Sequence, residues 1–269
     1  MLLSALAAMV LLTGCFEVEQ AIHLEKDRSG TASFAMTVNF EAIAEMVAQM
    51  QHSMSGKTGN ATPEEIADAK KQFLAQRKEE QKQDDFTAKR AEWEKSLPKG
   101  VRLLDANVDD KGMKLVLHFR LAFDDVAKLA QLEMPGDKPG DKAGGEGGAG
   151  GGGMPGSKNP FDRPFGGLRV VDEGKTILVT SDRVNPMKDD KMPDMSGGGP
   201  DQKEMAKQVE QIMKGFKVTF KVDAPMQVAE TNATRRDGNT LYWEYNLDTF
   251  KDEAKRKQAE QGIRVRFRK

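Results

Sequence analysis

One cysteine in 269 residues removes several chemistries at once. No intrachain disulfide can form, and a metal centre with two or more cysteine ligands cannot be built. The three histidines, His23, His52 and His118, stand far apart, so a histidine zinc site has no motif behind it. Aromatics reach only 6% against 31% charged residues, which points to a modest core under a large solvated surface. Charge of neither sign dominates: 41 Lys and Arg meet 42 Asp and Glu, so no global field argues for nucleic acid or another polyanion. Signatures of catalysis are missing too. There is no Gly-x-Ser-x-Gly, no His-Glu-x-x-His, and the glycine tract that begins at Gly144 lacks the Lys-Ser/Thr of a phosphate-binding loop. The adjacent pairs Asp84-Asp85, Asp124-Asp125 and Asp189-Asp190 read as solvated carboxylates. The expectation is a protein that is not an enzyme and uses no cofactor and no metal.

What is present begins with an apolar leader. Leu2 to Leu12 carries no charge, and it is too short for the ~20 residues of a membrane-spanning helix. It fits the apolar region of a secretory signal, with small residues at its end. Met1-Leu2-Leu3-Ser4 lacks the basic opening of such a signal, so the true start is expected further upstream. Leu12-Thr13-Gly14-Cys15 resembles the lipobox of bacterial lipoproteins. The resemblance implies residues 1–14 as a signal peptide, cleavage before Cys15, diacylation of its thiol and acylation of the new amino terminus. The mature chain would then have no free thiol. The plainer alternative makes Leu2 to Leu12 a buried strand or helix, and Cys15 a core thiol.

Beyond Cys15, period-two alternation predicts hairpins. Phe16, Val18, Ile22 and Leu24 answer Ala32, Phe34, Met36 and Val38 across a polar turn at 25–30. Val101 to Leu121 is a second hairpin, and Leu168 to Asp182 a third about Asp172-Glu173-Gly174-Lys175. Lys217 to Val222, Leu241 to Leu247 and a closing run from Ile263 alternate as well. Helices fill the intervals. Asn39 caps one whose residues Phe40, Ile43, Met46, Val47 and Met50 predict packing against the sheet. Thr62-Pro63-Glu64-Glu65 is a capping box opening a helical insertion over 63–97. Its middle is polar all round, so it reads as a long helix or helical hairpin standing partly clear of the domain. Phe123 to Leu132 is a short helix. Another stripe runs through Met205, Val209, Ile212, Met213 and Phe216. The segments 134–166 and 185–200, rich in glycine and methionine, read as flexible loops.

Val101–Lys128 and Val228–Lys255 echo each other as strand, glycine turn, strand and helix start. Residues 15–269 are therefore expected to form one α+β domain, an antiparallel sheet built from hairpins with helices packed on one face. The chain also resembles the LppM-type extracytoplasmic lipoprotein domain. The stretches that carry this are Lys26-Asp27-Arg28-Ser29-Gly30 after the first strand, Phe220 to Val228 around Ala224-Pro225, and Asn232, Asp237-Gly238, Trp243 and Leu247. The resemblance implies association with envelope lipids or glycolipids and supplies no catalytic residues.

The expected function is thus a membrane-anchored envelope lipoprotein, outer-membrane and periplasm-facing in a Gram-negative cell, that binds a lipid, glycolipid or envelope partner. The alternative is a scaffold acting through the 63–97 helix. Lys217, Lys221, Arg264, Arg266 and Arg268 fall on the outward positions of their strands and are candidate contacts for anionic headgroups.

Overall fold

A computed structural model describes residues 16–83, 86–134, 163–181 and 215–269. The leader with Cys15, the glycine tract, the 185–200 loop and the helix expected from Met205 to Met213 lie outside those residues. Each hairpin forms where alternation places it: β1 (Phe16–Leu24) with β2 (Gly30–Asn39), β3 (Val101–Asp110) with β4 (Lys114–Phe123), and β5 (Leu168–Asp172) with β6 (Thr176–Ser181). Then come β7 (Phe216–Asp223), β8 (Gln227–Thr231), β9 (Arg235–Asp237), β10 (Thr240–Asn246) and β11 (Ile263–Arg268). The architecture is α+β. Its strands make two sheets, ordered β3-β4-β2-β1-β7-β10-β9 and β5-β6-β11-β8.

The expectation of a purely antiparallel sheet is corrected at one seam. β1 and β7 run parallel, from Phe16 beside Phe216 to His23 beside Asp223. Hairpins fix only the pairing of neighbours in sequence. β1 is apolar along one face, with Val18, Ile22 and Leu24 buried, and its second edge has to be covered by a strand that no turn supplies. Phe216, which helical spacing assigns to the preceding helix, instead opens β7 and stacks on Phe16 with ring centroids 6.0 Å apart.

The echo between the two strand–turn–strand units holds in space only at their glycine turns, where β9 meets β10 across Gly238 as β3 meets β4 across Gly112. β3 and β4 pair with each other, whereas β8 joins β11 in the smaller sheet and β10 joins β7 and β9 in the larger one. The chain crosses between sheets at Asn232-Ala233-Thr234. One hydrophobic cluster connects the two, with Val18, Phe34, Leu121, Phe220 and Trp243 from the larger sheet meeting Ile177, Val179, Val265 and Phe267 from the smaller. Phe165 is buried in the same cluster.

α1 (Phe40–Met54) and α2 (Pro63–Gln83) form an antiparallel helical hairpin, with His52 against Glu65 at one end and Phe40 against Phe73 at the other. Asn39 caps α1 through the Glu41 amide. The buried face of α1 is Ala44, Ala48 and His52, not the methionine stripe: Met50 is 46% and Met54 80% exposed. Alanines let the two helices approach closely, and Ala48 meets Ala61 and Ala69. The predicted capping box is formed, as the Thr62 amide donates to Glu65 Oε2 at 2.8 Å and the Glu65 amide to Thr62 Oγ1 at 3.2 Å. With His52 and Lys57 also on this carboxylate, its pKa falls to about 2, the Lys57 contact being the largest cause. Arg77 ties α2 to the sheet by pairing with Asp110 and covering the Phe40 ring. α3 (Phe86–Ser96) returns onto the sheet through Trp93, whose ring meets Phe119 edge-on at 4.9 Å. Among the described residues no helix is long and apolar enough to cross a membrane.

Candidate ligand site on the outer sheet face

Side chains alternate across a strand, so the positions between the core residues of β1, β2, β4, β7 and β10 share the outer face of the larger sheet. Register assembles them into rows. Arg120 pairs with Ser33, Ser33 with Ala21, Ala21 with Lys221 and Lys221 with Tyr242. The next row sets Thr31 beside His23, His23 beside Asp223 and Asp223 beside Thr240. In the first row two of the smallest side chains stand between two of the longest. The result is an open concavity of about 240 Å³, lined by Ala21, His23, Thr31, Ser33, Arg120, Lys221, Asp223 and Thr240.

Its electrostatics follow from pairing. His23 Nδ1 lies 2.8 Å from Asp223 and Nε2 3.1 Å from Glu25. Chiefly through the Asp223 hydrogen bond, the imidazole pKa is raised above its ordinary value although partial burial opposes this. Lys221 Nζ is 2.7 Å from Glu19 and 5.8 Å from the Tyr242 ring centroid. Arg235 covers the same ring at 3.6 Å and pairs with Glu244. No described residue makes a hydrogen bond or ion pair with the Arg120 guanidinium. Asp105 stands across from it on β3, but that carboxylate is 3.7 Å from His118.

The sequence-derived cations are not brought together. Lys217 and Lys221 belong to β7 of the larger sheet, and Arg264, Arg266 and Arg268 to β11 of the smaller. The reason is that β11 pairs with β6 and β8, not with the strands around β7. Each has a partner. Lys217 is 4.0 Å from Glu244, Arg264 is 3.1 Å from Glu230, and Arg266 holds Glu173 at 2.9 Å as well as Glu230. Arg268 donates to Gln227 at 3.4 Å. Only Lys221 reaches the concavity. Alternation alone places His23 outward among the glutamates of β1 and does not single out Arg120, Ser33 or Thr31. The one available signal was that Ala21 and Ser33 put small side chains at outward positions of β1 and β2. Among the described residues no three His, Cys, Asp or Glu side chains converge as a metal site.

No family model and no curated protein matches this chain. Among solved structures it is similar to the NMR structure of the folded domain of LppM from Mycobacterium tuberculosis, with 11% identity over 95% of this chain and 90% of that one, at a TM-score of 0.36. A likeness of that size assigns neither a family nor a function.

Proposed function

We propose that this chain is a lipid-anchored, non-enzymatic protein of the bacterial cell envelope that binds a lipid, a glycolipid or a protein partner there. The observation that carries the reading is Leu12-Thr13-Gly14-Cys15 placed directly before Phe16, the first residue of β1. An acyl group contributes about 0.8 kcal/mol of membrane affinity per buried methylene, and stable anchoring takes more than one chain, which thiol diacylation supplies. Since β1 follows the cysteine with no polar spacer, the acylated residue would hold the larger sheet itself close to the bilayer. Lys217, beside Glu17 near that end of the sheet, is the best placed of the cations for a headgroup. Salt bridges at a protein surface are worth little, so its distant Glu244 partner would yield readily to phosphate.

Mass spectrometry of the native protein checks the anchor. The expected amino terminus is Cys15 carrying thioether-linked diacylglycerol, and Cys15→Ser should move the protein from the membrane to the soluble fraction. Recovery of an unmodified Cys15 from membrane-bound protein would overturn the reading.

A further inference from the structure

We infer that the concavity over Ala21 and Ser33 binds an oxyanion of the phosphate class, held between Arg120 and Lys221. The inference goes beyond the anchor reading and needs only the folded sheet. Three strand spacings separate the cations, about 14 Å between their Cα atoms, a span that two long side chains close from opposite sides. Ala21 and Ser33 leave the space above them open, and Ser33 and Thr31 bring two hydroxyl-bearing side chains to its lining. Neither hydroxyl makes a described hydrogen bond, so both are free to donate to an anion.

Among the neighbouring acids, Asp223 and Glu25 share His23, and Asp223 also takes Thr240 at 3.5 Å, while Asp105 lies 3.7 Å from His118. Glu19 pairs with Lys221, so an anion competes with that exposed carboxylate for the ammonium. Arg120 is left as the planar donor fork that suits a phosphate bidentately. The group bound is a phosphate ester or free phosphate. Ala21 lies five residues along β1 from Phe16, roughly 17 Å at the rise of a strand, so a lipid headgroup and a soluble phosphate are both sterically admissible sources.

The test titrates the purified full-length protein with inorganic phosphate, and separately with phosphatidylglycerol and phosphatidylcholine vesicles, following the amide resonances of Ala21, Thr31 and Ser33. Saturable shifts with phosphate assign a soluble source. Arg120-dependent shifts with phosphatidylglycerol alone assign a headgroup. Arg120→Gln should weaken either response about tenfold or more, since a charge-assisted pair is lost, while Arg235→Gln leaves it unchanged. Ser33→Ala should weaken it less. Arg120 is exposed, so its variant should melt with the parent protein. The proposal is overturned if neither probe gives a saturable response, or if Arg120→Gln responds like the parent. Because phosphate needs no membrane, either failure leaves the anchor reading standing.

Discussion

Asn232 ties the two sheets together through its side-chain amide. Its Oδ1 accepts from Trp243 Nε1 and from the Arg264 amide, each at 2.8 Å, and its Nδ2 donates to the Gly262 carbonyl at 2.8 Å. One amide thus satisfies β10 of the larger sheet and the start of β11 in the smaller. Aspartate keeps the acceptor and loses the donor, whereas alanine loses both and strands the Trp243 indole, which is 1% exposed. An unsatisfied buried polar group costs about 1–3 kcal/mol. Asn232→Ala is therefore expected to lose about 3 kcal/mol in urea denaturation, and Asn232→Asp less. A loss under about 1 kcal/mol for the alanine variant would show that the sheets are held together elsewhere. Gly30 acts at the same scale for a different reason: a Cβ there would lie 1.9 Å from the His23 carbonyl oxygen, so the tight exit from the first turn admits only glycine.

Elements show what patterning does and does not encode. α3 has almost no apolar stripe, yet Trp93 pins it, with Nε1 donating to the Glu133 carbonyl at 2.8 Å and its ring on Phe119. Trp93→Ala should cost about 3–5 kcal/mol, the range for removing a buried large aromatic, and should speed amide exchange across Phe86–Ser96 ahead of the rest. Uniform exchange along the chain would mean that α3 is held by other contacts. The hairpins were legible because alternation and a polar turn determine both the strands and their antiparallel pairing. The partner of β8 and the parallel pairing of β7 with β1 were not, because alternation marks a buried face without saying which strand or sheet lies beyond it. The buried face of α1 was misread for a related reason. Hydrophobicity favours the methionines, but the close approach of two helices is set by small residues, and alanines decided the packing. At the candidate site Lys221 was visible as an outward cation. Arg120 and Ser33 were not, since they become neighbours only through the pairing of β2 with β4.

At the scale of the whole molecule, β1 is the joint. Within the larger sheet it alone links β3-β4-β2 to β7-β10-β9, and its register with β7 has a constant offset of 200 residues, as at His23 and Asp223. A chain lacking residues 16–24 loses Val18, Ile22 and Leu24 from the core and exposes two inner edges. A 25–269 protein is therefore expected to show no cooperative urea transition and no dispersed amide spectrum. A normally folded 25–269 protein would show that β2 and β7 can close the sheet without β1.

The position of β1 also determines how the molecule bears load. A pull at residue 16 along the sheet runs along the strand, while the hydrogen bonds to β2 and β7 lie across it. Those bonds must slip together in shear on both flanks, and cannot unzip one at a time as they would from an edge strand. Tension entering at the amino terminus is thus carried into the middle of the sheet, and the fold resists extraction at the point where it would be tethered.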